Sequence, residues 1–278
     1  MSRKPAIPDS VRAAYESTDA YDIRARTHAL YSVAEGSWPE WLLQQVPREG
    51  VRSVLDVGCG TGGFLRQLAS AGIGDRLVGI DQSEAMVKKA QALATEAGLP
   101  IEYRVGDILD PLHEEGGFDL VCACHMLYHV SDIALAVRNC RALLSPQGTF
   151  LATTNSRHTM EPYSQAVWSE VRARLPNISL DPAPDHLRFS LENGAEYLLS
   201  SFDHIELRVR RDAFRFTDAA PWADYLKSGR DLHLSPGHSE EDWQQVAQAI
   251  DEVAQTQLAG GPLVVPKAAG VFLCRAPA

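Results

Sequence analysis

The chain has 278 residues, of which 45% are hydrophobic, enough to bury the core of one large domain or two small ones. A net charge of −10 with no basic run counts against nucleic acid as a partner, and no apolar run approaches the ~20 residues of a membrane span. Five cysteines, an odd number scattered singly except for Cys122 and Cys124, read as reduced thiols rather than a disulfide framework or a zinc site.

The opening segment Met1-Ser2-Arg3-Lys4-Pro5 lacks the apolar stretch of a secretory signal, so the expected compartment is cytoplasmic. Val11 to Val33 alternates charged and apolar residues at helical spacing and carries Tyr15, Tyr21, Arg24, Arg26, His28 and Tyr31. A short helix is expected from Pro39 to Val46, with Ser37 as its N-cap. On its own this segment reads as an amphipathic leader packed against the core. Val51 and the run Val54-Leu55-Asp56-Val57 have the apolar, β-branched character of a strand buried on both faces. Glycine then takes four of the six places from Gly58 to Gly63, and helical spacing resumes at Phe64, Leu65, Leu68 and Ala69. Strand, glycine turn and helix together set unpaired N–H groups at a helix N-terminus, the arrangement of a nucleotide-cofactor site.

Strands and helices then alternate to Ser156, the pattern of a parallel doubly wound α/β sheet. Strands are predicted at Arg76 to Asp81, Ile101 to Val105, Phe118 to Ala123 and Thr149 to Thr154, with helices from Ser83 to Ala97 and from Ile133 to Leu144. Ligands of such sheets bind beyond the carboxyl ends of the strands, where Asp81, Asp107 and Cys124-His125 fall. Later predicted elements are a helix around Glu161 to Leu175 and another over Leu191 to Phe202, led by Ser190 as its cap. Ile205 to Arg211 reads as a half-wet antiparallel strand, continued by Phe214 and Phe216 after a kink. Helices over Asp218 to Ser228 and Ser239 to Leu258 and a strand over Val264 to Arg275 complete the chain.

Gly58, Gly60 and Gly63 satisfy G-x-G-x-x-G, and Asp81 follows roughly 20 residues on, as a dinucleotide site requires. That keeps a nicotinamide-dependent oxidoreductase open. Asp56 speaks against it, because a pyrophosphate would meet a carboxylate there, whereas an ammonium or a sulfonium would gain from it.

The run Leu55-Asp56-Val57-Gly58-Cys59-Gly60-Thr61-Gly62 resembles the first motif of class I S-adenosylmethionine-dependent methyltransferases, and the resemblance covers residues 51 to 156. It implies a seven-stranded Rossmann-like sheet, with an antiparallel last strand and an antiparallel sixth and seventh pair, and S-adenosyl-L-methionine as cofactor. Residues 1–50 would be a helical lid and 51–278 the catalytic domain, with cap insertions at about 157–187 and 217–258. The glycine loop of Asp56, Gly58 and Gly60 would cradle the amino-acid end of the cofactor. Gly79-Ile80-Asp81-Gln82-Ser83 looks like the second motif, whose acid meets both ribose hydroxyls. Gly106-Asp107-Ile108 looks like the third, with Asp107 at the adenine amine and Ile108 on the ring. Phe118-Asp119-Leu120-Val121 and Leu143-Leu144-Ser145-Pro146-Gln147-Gly148 match later signatures, with Gln147 standing where glycine is usual. N-terminal helices carrying tyrosines cover the cofactor in this family, which points to Tyr21 and Arg26.

Cys124-His125-Met126-Leu127-Tyr128-His129-Val130 resembles a loop of the family's bacterial small-molecule subgroup. Cys124 would line the cofactor. His125 would line it or act as base, and Tyr128 and His129 would face the substrate; bracing of backbone and helix is the alternative for each. Asn155, His158, Tyr163 and Trp168 are candidate pocket walls, and arginines 157, 172, 174 and 188 hint at a substrate carboxylate. No Asn/Asp-Pro-Pro-Tyr is present, which counts against nucleic-acid and protein-glutamine substrates. The expected activity is in-line methyl transfer to a metabolite or natural product by a monomer or homodimer, with no metal. The alternative is cyclisation of the cofactor's own amino-acid tail, releasing methylthioadenosine.

Overall fold

A computed structural model describes residues 19–110, 117–180, 188–234 and 238–275. Seven strands form one sheet in the order β3-β2-β1-β4-β5-β7-β6. They are β1 (Ser53–Val57), β2 (Arg76–Asp81), β3 (Ile101–Val105), β4 (Phe118–Cys124), β5 (Leu144–Asn155), β6 (His204–Phe216) and β7 (Leu263–Arg275). The first five pair in parallel. β7 runs antiparallel to both β5 and β6, so β6 points the same way as β1 to β5 although it touches only β7.

Two layers of helices bury the sheet. Leu55, Val57, Val121, Phe150 and Phe272 face one apolar cluster, which α5 (Ile133–Leu143) and α7 (Gly194–Leu198) close. Val54, Leu120, Cys122, Leu151 and Val271 face the other, beneath α2 (Trp38–Gln45), α3 (Gly63–Ser70) and α4 (Glu84–Glu96). Both faces of β1 are thus dry, as its unbroken apolar run predicts. Asp119 pins β4 to the start of β1, its Oδ2 accepting hydrogen bonds from the Arg52 and Ser53 N–H groups at 3.0 and 2.9 Å.

The antiparallel β6–β7 pair outruns its neighbour. β5 pairs with β7 only from Thr149↔Arg275 to Asn155↔Ala269, whereas β6 and β7 pair on from Arg211↔Ala268 to Phe216↔Leu263. At ~3.3 Å per residue the overhang extends about 20 Å past the carboxyl end of β5. Its Phe214, Phe216, Leu263 and Val265 are buried in a third apolar core with α6 (Tyr163–Arg174), α8 (Ala219–Lys227) and α10 (Glu240–Leu258). A short α9 (Arg230–His233) joins this cap. The cap therefore stands over the edge of the sheet where strand ends and glycine loop lie.

α1 (Asp19–Tyr31) bridges the two regions. Near its start Asp22 is paired with Lys89 of α4 at 3.1 Å; near its end Tyr31 packs 5.0 Å from the Phe216 ring. Thirteen residues at ~1.5 Å each make a helix about 20 Å long, enough to cross the crevice between them.

Several expectations are corrected. β6 is one strand paired without a register shift to Phe216, so no kink precedes Phe214. The helix expected over Leu191 to Phe202 is reduced to α7, because Asn193 Oδ1 accepts from the Ser190 N–H at 2.7 Å and closes a turn there. β5 starts early at Leu144, and Ser145 to Gly148 form a bulge in which the register steps from Phe118↔Leu144 to Leu120↔Thr149. Tyr15 and part of the segment 157–187 lie outside the described residues.

Candidate functional site

The glycine loop leaves β1 with positive φ at Gly58, Gly60 and Gly62, a turn that side chains resist. Two of these positions are also closed by their neighbours. A Cβ on Gly58 would stand 2.8 Å from Met126 Cβ, and one on Gly62 would stand 2.2 Å from Tyr103 Oη. Tyr103, on β3, braces the loop from beneath, its hydroxyl 3.3 Å from the Gly62 carbonyl. No side chain caps α3, so its first N–H groups are left to the space above the loop.

Asp56 lies under that loop, 1% exposed, and its Oδ1 has no hydrogen-bond partner. Burial, and secondarily the charge of Asp81, push its carboxyl up to about 8. An orphaned acid in a dry site fits a ligand that brings a cation and donor N–H groups. Asp81 ends β2 and spans the crevice: Oδ2 accepts the Gly60 N–H at 2.8 Å and Oδ1 the Ser83 N–H at 2.9 Å. Burial raises its carboxyl, and these two backbone hydrogen bonds act against the shift. Each oxygen keeps a second lone pair, so the carboxylate can still meet a vicinal diol. Gln82 beside it is exposed. Asp107 is half-buried and turns Oδ1 to the Leu109 N–H at 2.9 Å. Ile108, expected on a ring face, is 3% exposed and belongs to the core with Val57 and Ile80.

Beyond β4 the chain turns sharply. His125 has φ +53°, and its N–H is shared between the Thr153 carbonyl at 3.1 Å and the Thr153 hydroxyl at 3.0 Å. Its ring lies 5.3 Å from that of Trp38, and burial lowers its pKa to about 4. Cys124 is half-buried, with burial raising its thiol well above the ordinary range. Leu127 is fully buried, while Tyr128 leans on the core beneath α5 with its ring 4.4 Å from His129. On α1, Arg26 is exposed, whereas Arg24 and His28 are half-buried. Tyr21 lies in the same helix.

With this geometry goes a match of residues 54–148 to the family model described as a methyltransferase domain. The chain's matches support a methyltransferase domain of the class I S-adenosylmethionine-dependent kind over residues 54–148. A ubiquinone biosynthesis O-methyltransferase of Xanthomonas campestris pv. campestris is 36% identical over 137 residues, 49% of this chain and 56% of that protein. The chain spans about half the length of the curated relatives it matches. Among solved structures the cyclase SpnF is similar over 100% of both chains, with a TM-score of 0.60 and 19% identity. Phosphoethanolamine N-methyltransferase 2 of Haemonchus contortus, in complex with S-adenosyl-L-methionine, has a TM-score of 0.59 and 17% identity, covering 99% of this chain and 60% of that one. At such identities the likeness is one of fold, which hosts more than one chemistry.

The strand ends thus gather Asp56, Gly58, Gly60, Asp81, Asp107 and His125 along one edge of the sheet. Other candidates serve elsewhere. His158 is exposed against Glu161 at 3.1 Å, and Trp168 is stacked on His233 at 3.7 Å inside the cap. Arg174 is paired with Glu170 and Glu252, and Arg188 donates to the Val130 and Ser131 carbonyls, so neither supports the carboxylate hint. A cavity of about 220 Å³ lined by Gln45, Thr149, Arg208 and Arg275 opens at the opposite edge of the sheet, away from this site. Sequence reasoning assigned no role to Tyr103, His28, Trp38 or the Asp212–Lys267 pair. Only Tyr103 left a usable signal, since its alternation with Ile101 sets it on the buried face of β3.

Proposed function

We propose that this chain transfers the methyl group of S-adenosyl-L-methionine to a small-molecule acceptor. The observation that carries the reading is the buried, unpartnered Oδ1 of Asp56 beneath a loop that Asp81 holds by the Gly60 N–H. Asp56 would receive the cofactor's ammonium, Asp81 its ribose diol, and Asp107 the adenine edge. Bound there, the cofactor would supply an electrophilic methyl on a cationic sulfur. The protein's part is to align an acceptor and exclude water, the work for which an aromatic-lined cap and the α1 bridge are suited. The curated relatives are named for O-methylation in ubiquinone biosynthesis, which favours oxygen as the acceptor atom here. All five cysteines are free thiols, in keeping with a cytoplasmic enzyme.

The cap also favours an external acceptor over cyclisation of the cofactor's own tail. α6, α8 and α10 with the β6–β7 overhang amount to a third core, more chain than folding one amino-acid tail requires. Calorimetry should show S-adenosylhomocysteine binding in the micromolar range and NAD not binding. Protein incubated with S-adenosyl-L-methionine alone should leave it intact, as followed by mass spectrometry. Tight NAD binding, or stoichiometric methylthioadenosine with a cyclic amino acid, would overturn the reading.

A further inference from the structure

β6 stands at the edge of the sheet, hydrogen-bonded to β7 alone among the strands. The upper part of its free edge is taken by the chain itself. Ser32 bridges Phe214, and the Val33 N–H donates to the Ala213 carbonyl at 3.0 Å. Asp212 Oδ1 completes this contact by accepting from the N–H groups of Val33 and Ala34 at 3.2 and 2.9 Å. Ala213 thus points its carbonyl outward. In an antiparallel ladder alternate residues share that direction, so Ile205, Leu207, Val209 and Arg211 turn their N–H and C=O groups outward too. Among the described residues none bonds to these groups.

A proline, a bulge or an inward charge commonly blunts such an edge. From His204 to Arg211, β6 has no proline and pairs with β7 without a register shift. Leu207 and Val209 are 40% and 44% exposed, on the face where Ile205 packs against the sheet core. The opposite face carries Glu206, Arg208 and Arg210. Glu206 and Arg208 bond each other at 2.7 and 3.1 Å, but the pair is exposed and gains little in water.

A second copy of this chain supplies the complement. Two β6 strands about a twofold axis run antiparallel, and their outward groups meet only when odd-numbered residues face one another. With Leu207 on the axis, Leu207 faces its own copy, Ile205 faces Val209, and Glu206 faces the partner's Arg208 on both sides. His204 then faces the partner's Arg210, whose guanidinium is turned to the carbonyls of Glu35, Gly36 and Ser37 of its own chain. An axis at Arg208 would set arginine against arginine, and one at Glu206 glutamate against glutamate, which like charges directly opposite disfavour. An axis at Val209 would oppose Arg208 and Arg210. An axis at Ile205 would put Leu207 against Asp203 and shorten the ladder.

We infer that β6 pairs antiparallel with β6 of a second copy of this chain, centred on Leu207, so that two seven-stranded sheets become one. The ladder satisfies the outward backbone groups of Ile205, Leu207 and Val209 in both chains and covers their side chains on one face. On the other face it exchanges the Glu206–Arg208 pair within each chain for two pairs between chains. The glycine loop follows β1, which β4, β5 and β7 separate from β6, so the cofactor crevice stays outside the interface.

The test is sedimentation equilibrium on the full chain. The unaltered protein should be a dimer at micromolar concentration. Glu206→Arg and Arg208→Glu each set like charges across the axis twice, and each should weaken association about tenfold or more. An equimolar mixture of the two variants restores opposite charges at both positions and should associate as tightly as the parent. So should the double variant E206R/R208E. Leu207→Lys, which leaves both charges in place and puts two ammonium groups at the axis, should give monomers with the circular dichroism of the parent. A monomeric parent overturns the inference, as does a dimer that none of the single variants weakens. A mixture of Glu206→Arg and Arg208→Glu that associates no better than either alone overturns it as well.

Discussion

In the free protein Asp56 keeps its proton at neutral pH, because burial and the neighbouring Asp81 lift its carboxyl from the ordinary 3.8 to about 8. The folded chain therefore binds this proton more tightly than the unfolded chain does. Its contribution to stability is complete below about pH 4 and is lost as pH rises through about 8. Asp56→Asn keeps the shape without the titration, so the variant's melting temperature should change less than that of the parent between about pH 5 and 8. A docked ammonium would pull the carboxyl back down, so S-adenosylhomocysteine should expel about one proton on binding at pH 7. Binding enthalpies in buffers of different ionisation heat read that proton. An enthalpy independent of buffer in the unaltered protein would mean that no cation meets Oδ1. The same residue shows the limit of sequence. The spacing of Asp56 before the glycines marked it as a candidate acid for a cation, but its protonation depends on burial by strands far along the chain.

Elements were legible where local chemistry sets their ends. α2 starts beside Ser37 because Ser37 and Glu40 form a reciprocal capping box, and α10 starts after Ser239 because Ser239 forms the same box with Asp242 in its first turn. β6 was misread because Asp212 interrupts its apolar alternation. Its neutralising partner Lys267 stands directly opposite in the register yet 55 residues away in sequence. The Asp22–Lys89 pair that ties α1 to α4 is equally remote, and it is exposed enough to contribute little alone, about 0–1 kcal/mol. The grip of α1 on its far side is firmer, with His28 and Tyr31 set into the aromatic cluster of Phe214 and Phe216. A helix held weakly at one end and well at the other is suited to act as a lid over the crevice. We expect amide exchange across residues 19–31 to slow when S-adenosylhomocysteine binds, most strongly toward Asp22. Identical protection with and without ligand would make α1 a fixed part of the wall.

At the scale of the molecule, the sheet and the cap have separate apolar cores, which α1 spans and the antiparallel β6–β7 pair joins in one continuous ladder. Its lower half lies in the sheet beside β5, and its upper half carries Phe214, Phe216, Leu263 and Val265 into the cap. The pairing runs through the boundary from His204↔Arg275 to Phe216↔Leu263 with no bulge at which one part could let go of the other. The cap should therefore not melt ahead of the sheet. The tryptophans make this measurable: Trp168, Trp222 and Trp243 belong to the cap core, and Trp38 and Trp41 to α2, while no tryptophan lies on the sheet strands. Fluorescence thus follows the cap and α2, whereas far-ultraviolet circular dichroism follows all the helices and the sheet. In urea the two signals should trace one transition with a common midpoint, as cooperative unfolding requires. Phe214→Ala, which removes a fully buried ring from the overhang, should lower that common midpoint by about 3–5 kcal/mol of stability rather than split it. A fluorescence midpoint well below the dichroism midpoint, in the parent or in Phe214→Ala, would show the cap to be an independent unit resting on the sheet.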